Sequence, residues 1–276
     1  MQEKKILYRD KRDAFAADNG ALVELDHWKK KDPTYRYSKL KGLISDERLA
    51  DQTTEASLKP FTRGDSYFSE FALHNKQEFI LSESDYSYIV GNLASYDKRQ
   101  YPAWLDPKYS KCTPEGQGFG HCLVIPKKRI HNIVDPEAVA NKCAIINELR
   151  NHFTGFWGTQ NGRKKLLDRT FSIFDGQNAI LRTKDSLQAK KLVADVISTY
   201  NLLAPQFKQL QAEDFMCAFH PAPDISVGHL HLHVFPKAEL FREFSAMRHE
   251  WKTIPFDAVT QVESEHPLAL DQLPKG

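Results

Sequence analysis

The chain has 276 residues, enough for one large domain or two small ones with a sizeable buried core. Hydrophobic residues make up 41% and charged residues 27%, and 38 Lys and Arg stand against 36 Asp and Glu for a formal net charge of +2. That balance supplies no global basic field, so polynucleotide binding is not indicated. The first residues, Met1-Gln2-Glu3-Lys4-Lys5, are charged and no long apolar stretch follows. This predicts neither a secretory signal nor a membrane span, with the cytosol as the expected address and the nucleus open. Cys112, Cys122, Cys143 and Cys217 are scattered without a CxxC pair and read as reduced thiols rather than zinc ligands.

Residues 1–75 are charged and aromatic with weak periodicity, apart from a short helix expected near Leu40–Leu49, and read as an ordered extension wrapping a core. Within it, Arg63-Gly64-Asp65 reads as a plain turn. Phe79-Ile80-Leu81 and Tyr86-Ser87-Tyr88-Ile89-Val90 predict two short strands. The proline- and glycine-containing stretch 93–118 predicts a long loop, and Cys122–Pro126 a buried strand that its proline ends. Asp135-Pro136-Glu137 has the makeup of a helix start. Val139, Cys143, Ile146, Leu149 and Phe153 then recur at helical spacing, predicting a helix over about 135–157. Phe171–Phe174 and Ala179–Leu181 fit either period. A second long helix is predicted over about 185–204, ended or kinked by Pro205. Phe215–Phe219 and His229–Phe235 are the last predicted strands, and the tail from about Phe241 shows no clear repeat.

The segment Gly228-His229-Leu230-His231-Leu232-His233-Val234-Phe235-Pro236 carries the most chemistry. Side chains alternate along a strand, so the three histidines are expected on one face and Leu230, Leu232 and Val234 on the other. Successive same-face side chains lie about 6.6 Å apart, a spacing that suits imidazoles grouped round a phosphate. Close imidazoles suppress one another's protonation, which leaves some neutral and nucleophilic near pH 7 while another can hold a proton for a leaving group. Covalent phosphoryl or nucleotidyl transfer fits this strand. So does metal coordination, because His-x-His supplies two ligands of many zinc sites.

His229–Phe235 matches the alternating His-φ-His-φ-His-φ-φ signature, where φ is apolar, and so resembles the histidine-triad (HIT) superfamily. Gly120-His121-Cys122-Leu123-Val124-Ile125-Pro126-Lys127-Lys128 is similar to the upstream strand of its Hint and Fhit branches, and Ile133–Val139 to a helix start in Fhit-like members. Tyr88-Ile89-Val90-Gly91-Asn92 resembles the earlier strand that ends in a ribose-contacting residue. The resemblance covers about residues 78–240, which gives an N-terminal extension (1–75), a HIT-like domain (76–240) and a C-terminal tail (241–276). It implies an α+β fold with a five-stranded antiparallel sheet and two main helices, a homodimer, and a nucleotide or related phosphate compound as substrate. It implies His231 as the nucleophile, His233 at the reacting phosphate, His229 supporting the nucleophile, and His121 against the triad. Ser226 and Asn92 take the phosphate- or leaving-group- and ribose-binding positions. No metal or other cofactor is demanded.

Departures from the pattern bear on the substrate. Ile225 stands where many Hint and Fhit proteins carry Gln, and Phe219-His220-Pro221-Ala222-Pro223-Asp224 resembles the decapping-scavenger and aprataxin branches more closely. This makes His220 a further candidate contact to phosphate or leaving group. A metal-dependent hydrolase using the histidine row, and a scaffold turned to a non-nucleotide metabolite, are the competing readings. Lys127, Lys128 and Arg129 read chiefly as a solvated strand end, Lys190 and Lys191 as an exposed helix face, and Trp104, Trp157 and Trp251 more as packing residues than base-stacking ones.

Overall fold

In a computed structural model, residues 1–52, 58–92, 118–136, 141–183, 185–242 and 249–268 are described. The short apolar runs form β1 (Ile80–Glu83), β2 (Ser87–Gly91), β3 (Cys122–Pro126), β4 (Phe215–Phe219), β5 (Leu232–Pro236) and β6 (Ile254–Pro255). They make one antiparallel sheet of order β1-β2-β3-β5-β4-β6. The fold is therefore α+β with six strands rather than the five expected. The added strand comes from the tail, where a two-residue segment is too short to show alternation. Buried Ile254 pairs with Phe219, and Pro255 with Ala218 on an edge that tolerates a proline.

α1 to α4 precede the sheet core as Gln2–Ala17, Asn19–Lys29, Asp46–Ala50 and Phe71–His74, and three further long helices follow β3 where two were expected: α5 (Lys142–Trp157) and α6 (Gln160–Arg182) pack on one sheet face, and α7 (Leu187–Phe207) packs on α6. The segments 171–174 and 179–181 lie within α6. α7 runs past Pro205 to Phe207, although the proline cannot donate the i→i−4 hydrogen bond at that position. α5 starts at Lys142, later than expected. The Asp135 carboxylate instead accepts from Lys29 Nζ and the His131 N–H, and residues 137–140, with the start assigned to Pro136-Glu137, lie largely outside the described residues. The expected 93–118 loop and Cys112 lie almost wholly outside them too; Cys122, Cys143 and Cys217 are unpaired.

Ile146, Leu149, Phe153 and Trp157 of α5 bury against Val124, Leu232 and Val234 of the sheet, joined by Leu166, Leu203 and Phe207. Phe215 packs edge-on against Trp157 at 4.8 Å and Phe153 at 5.0 Å between ring centroids, contacts that add about 0.5–1.5 kcal/mol each beyond area burial. On the opposite face, Val90, Leu123 and Ile125 are covered by Phe71 and Phe68 from the chain ahead of β1. Alternation along β5 sends Leu232 and Val234 to the helices and His233 to this second face.

The chain ends close on each other. α1 lies on α8 (Phe256–Glu265), and Glu263 Oε1 accepts from Tyr8 Oη, from Lys142 Nζ at 3.1 Å and from Arg12 at 3.4 Å, all in a buried site. Nearby, the Glu24 carboxylate accepts four bonds from the N–H groups of Ser38, Lys39 and Leu40 and the Ser38 hydroxyl, fixing the strap that follows. At its end the Gly42 carbonyl accepts the Gly228 N–H at 2.7 Å, one residue before His229. Gly42 has φ +75°, and a Cβ there would lie 2.3 Å from the Gly228 nitrogen, so neither bulk nor an ordinary backbone fits. Arg63-Gly64-Asp65 is the expected turn, with Gly64 at φ +87° and Asp65 accepting from the Thr62 N–H.

Glu263→Ala strips Lys142 and Arg12 of a buried counter-charge and is expected to lower stability by about 3–5 kcal/mol in urea unfolding. The paired change Lys142→Met with Glu263→Leu is expected to recover much of that loss. A single-variant loss under about 1 kcal/mol would contradict a stabilising role for this cluster.

Candidate active site

β3 and β5 set the site. His121 precedes β3, held by Gly120 at φ +67°, where a Cβ would strike the Phe207 ring at 2.2 Å. His233 lies inside β5 opposite Leu123 of β3 and Ala218 of β4, so both neighbours fix its backbone. His231 sits immediately before β5, and His220 follows β4. Their rings converge: His231 and His233 have centroids 4.7 Å apart, His220 and His233 4.1 Å, and His121 and His233 5.2 Å.

Hydrogen bonds specify the tautomers. His231 Nδ1 is 2.7 Å from its near neighbour's carbonyl, His229 O, so Nδ1–H donates and Nε2 is left with a lone pair. The Asn92 amide nitrogen donates to His121 Nδ1 at 2.9 Å, His121 Nε2–H then donates to His233 Nδ1 at 3.1 Å, and the proton of His233 falls on Nε2. That buried Nε2–H has no partner among the described residues, on a ring whose centroid lies 4.7 Å from that of His231. The Thr253 hydroxyl donates to the His249 carbonyl at 2.7 Å and so accepts from His220 Nε2–H at 3.1 Å.

The alternation argument places three histidines on one cleft, and here the structure differs. β5 begins only at Leu232, and His229 lies off the strand with its Nε2–H donating to the Pro126 carbonyl at 2.9 Å. Its contribution to the site is its carbonyl rather than its ring. A cleft of about 190 Å³ is lined by Asn92, His220, Ser226, His231 and His233, with Phe68, Leu123, Ile225 and Val227 as its apolar walls. The Phe68 ring meets His231 edge-on at 5.0 Å. His121 acts from behind, through His233.

His249 and Lys252 also line the cleft. Sequence reasoning missed both, because neither belongs to a periodic segment, and the pairing of β6 with β4 and the His220–Thr253 hydrogen bond hold their segment at the site. Of the other candidates, Lys127 pairs with Glu83, while Arg129 lies 4.1 Å over the Trp28 ring and bonds the Gly64 carbonyl. Lys190 and Lys191 are exposed on α7. Trp157 is core, Trp251 is exposed outside the cleft lining, and Trp104 lies outside the described residues.

Burial dominates the protonation of these rings. It pushes His121 down to about 3, His220 to about 2, and His131, His229 and His231 to about 4, with His233 also well below its ordinary range. The positive field of Lys252 adds to the effect at His220, His231 and His233. All are neutral near pH 7, so His231 presents an uncharged nitrogen nucleophile. Among the described residues no group of three His, Cys, Asp or Glu side chains is arranged to hold a metal ion, and no helix is long and apolar enough to cross a membrane. No protein-family model, curated protein or solved structure matches the chain.

Unfolded histidines titrate near 6.5, above these folded values, so the unfolded chain binds more protons as the pH falls from about 6.5 to 4. Stability is expected to be complete above about pH 6.5 and to drop through that window by more than about 1.4 kcal/mol per pH unit, since several rings contribute. Urea midpoints measured from pH 7.5 to 4.5 check this; a flat profile would contradict neutral burial of the cluster.

Proposed function

We propose that the chain is a histidine-triad enzyme, a hydrolase or transferase acting on phosphorus in a nucleotide or related phosphate compound, with His231 as nucleophile. The observation that carries this reading is the pairing of a lone pair on His231 Nε2, fixed by the Nδ1–H bond to His229 O, with the unpartnered donor on His233 Nε2. A nucleophile and a donor for developing oxyanion charge side by side are the minimum machinery for attack at phosphorus.

In the proposed step, His231 Nε2 attacks in line, the new N–P bond forms, and the bond to the leaving group breaks with its electron pair departing on that group. The His233 N–H donates to an equatorial oxygen, and the Asn92–His121 relay keeps that proton on the correct nitrogen. The adduct ring keeps its Nδ1–H and carries positive charge, which the His229 carbonyl stabilises. That charge makes imidazole a ready leaving group when water attacks phosphorus: the water oxygen bonds to phosphorus, the N–P bond breaks with its electron pair returning to Nε2, the surplus proton of the water leaves to solvent, and neutral His231 is regenerated. Ser226, in the cleft wall, stands within the same compartment as a hydroxyl for phosphate or leaving group.

His231→Ala is expected to abolish turnover of nucleotide substrates and the acid-labile phosphorus adduct seen by mass spectrometry after rapid quenching. His233→Ala is expected to lower kcat by about 10²–10³ while still forming some adduct, the usual effect of losing one oxyanion donor. Full activity in the His231 variant would remove the nucleophile from the account. Stoichiometric zinc with loss of activity to chelator would favour a coordination role for the imidazoles instead.

A further inference from the structure

A second cavity, sharing no lining residue with the cleft, lies between α1, the start of α2, the strap that follows α2 and the loop after β4. Its volume is about 420 Å³, more than twice that of the cleft and within the roughly 300–1,000 Å³ of ordinary ligand pockets. Leu7, Phe15, Ala21, Ala222 and Pro223 make its lining largely apolar, and His131 forms part of the wall. The Phe15 and His131 rings are 21° from parallel with centroids 6.2 Å apart, an aromatic surface suited to offset stacking of a further flat ring.

Two polar features of this wall lack a matching group. His131 is fully buried, and its Nε2–H donates to the Lys41 carbonyl at 3.2 Å. Its Nδ1 therefore carries a lone pair, which has no partner among the described residues. At the rim, Lys11 is paired with Asp224 and Lys39 with Asp18. The Lys41 ammonium meets only the Ser38 carbonyl, at 2.9 Å, and no carboxylate among the described residues. Asp10, the remaining rim carboxylate, lies 4.0 Å from the Arg9 guanidinium. A buried acceptor, an aromatic wall and a cation without counter-charge call for one molecule with a donor, a flat apolar body and an anionic group.

The cavity also abuts elements that hold the cleft. Ala222 and Pro223 belong to the same loop whose His220, Ile225, Ser226 and Val227 line the cleft. Asn132, next to His131, clamps that loop: its amide nitrogen donates to the His220 carbonyl at 3.0 Å, and its oxygen accepts the Ala222 N–H at 2.9 Å. Gly42, next to Lys41, accepts the Gly228 N–H at the other end of the loop.

We propose that this cavity is a second ligand site, for a small aromatic carboxylic acid carrying a ring hydroxyl, and that its occupant is felt in the cleft through Asn132. The hydroxyl donates to His131 Nδ1, the ring lies along Phe15, and the carboxylate meets Lys41. Binding involves no covalent step and does not depend on the reading of His231 as nucleophile.

Calorimetric titration of the full chain with 4-hydroxyphenylacetate, phenylacetate and 4-methylphenol reads the contacts separately. The hydroxy acid is expected to bind with a Kd on the order of 10⁻⁴ M, reasonable for a ligand of this size. Each of the other two is expected to bind at least about tenfold more weakly, the scale of one hydrogen bond. Lys41→Gln is expected to bring the hydroxy acid and 4-methylphenol within about threefold of each other, and Lys41→Arg to keep most of the gap. Ala14→Phe places a ring in the cavity from an exposed position of α1, and is expected to abolish binding with helix content unchanged by circular dichroism. In ¹H–¹⁵N NMR the hydroxy acid is expected to shift the ring nitrogens of both His131 and His220. No binding, equal affinities for the three probes, or an affinity unchanged in Ala14→Phe would overturn the site. A shift at His131 with none at His220 would overturn its link to the cleft. His231→Ala is expected to bind the hydroxy acid as the unaltered chain does, so failure of this site and failure of the nucleophile are told apart.

Discussion

The hydrogen bond from His231 Nδ1–H to the carbonyl two residues back, at 2.7 Å, is the constraint on which the site depends. It turns a freely rotating ring into an extension of its own backbone. That backbone runs directly into β5, an interior strand held on both sides by β3 and β4, so the free Nε2 inherits the rigidity of the sheet. Because the acceptor is a neutral carbonyl, the bond selects a tautomer without adding a charge to the buried cleft. A carboxylate in its place would favour the imidazolium and remove the lone pair.

Burying so many imidazoles is unfavourable at acid pH, and the surrounding architecture supplies what holds them. Apolar residues of β2 and β3 and the aromatic side chains of Phe68 and Phe71 shut water from the second sheet face. The strap from Glu24 to Gly42 fixes Gly228, and the tail completes the far end through Ile254 and Thr253. The segments ahead of β1 and after β5 thus both contribute to the environment of His231 and His233. The buried Glu263 cluster joins α1, α5 and α8 and ties these contributions together.

What the sequence reveals follows from how local each signal is. Period-two alternation around Leu232 and Val234 is a property of a few consecutive residues, and it matches β5 from Leu232 onward, with His233 on the face away from the helices. It fails for His229, because nothing local marks where β5 begins, and the ring turns back to the Pro126 carbonyl. Phe171–Phe174 fits both periods, so α6 becomes visible only when packed against the sheet. Ile254–Pro255 is too short to carry a pattern, hence the sixth strand and the arrival of Lys252 at the cleft are long-range facts. His121 was legible through resemblance, but its use of Asn92 to set the proton of His233 is a matter of three-dimensional hydrogen bonding.

The central claim is that His231 Nε2 is an open, neutral nitrogen facing the position of a pentacoordinate phosphorus. Crystals grown with orthovanadate test it most directly, since vanadium adopts that geometry and bonds to the attacking atom. The account predicts vanadium bonded to His231 Nε2, with His233 Nε2–H on an equatorial oxygen and the His231–His229 hydrogen bond intact. Vanadium bonded to another residue, or a His231 ring rotated so that Nδ1 faces the cleft, would contradict it.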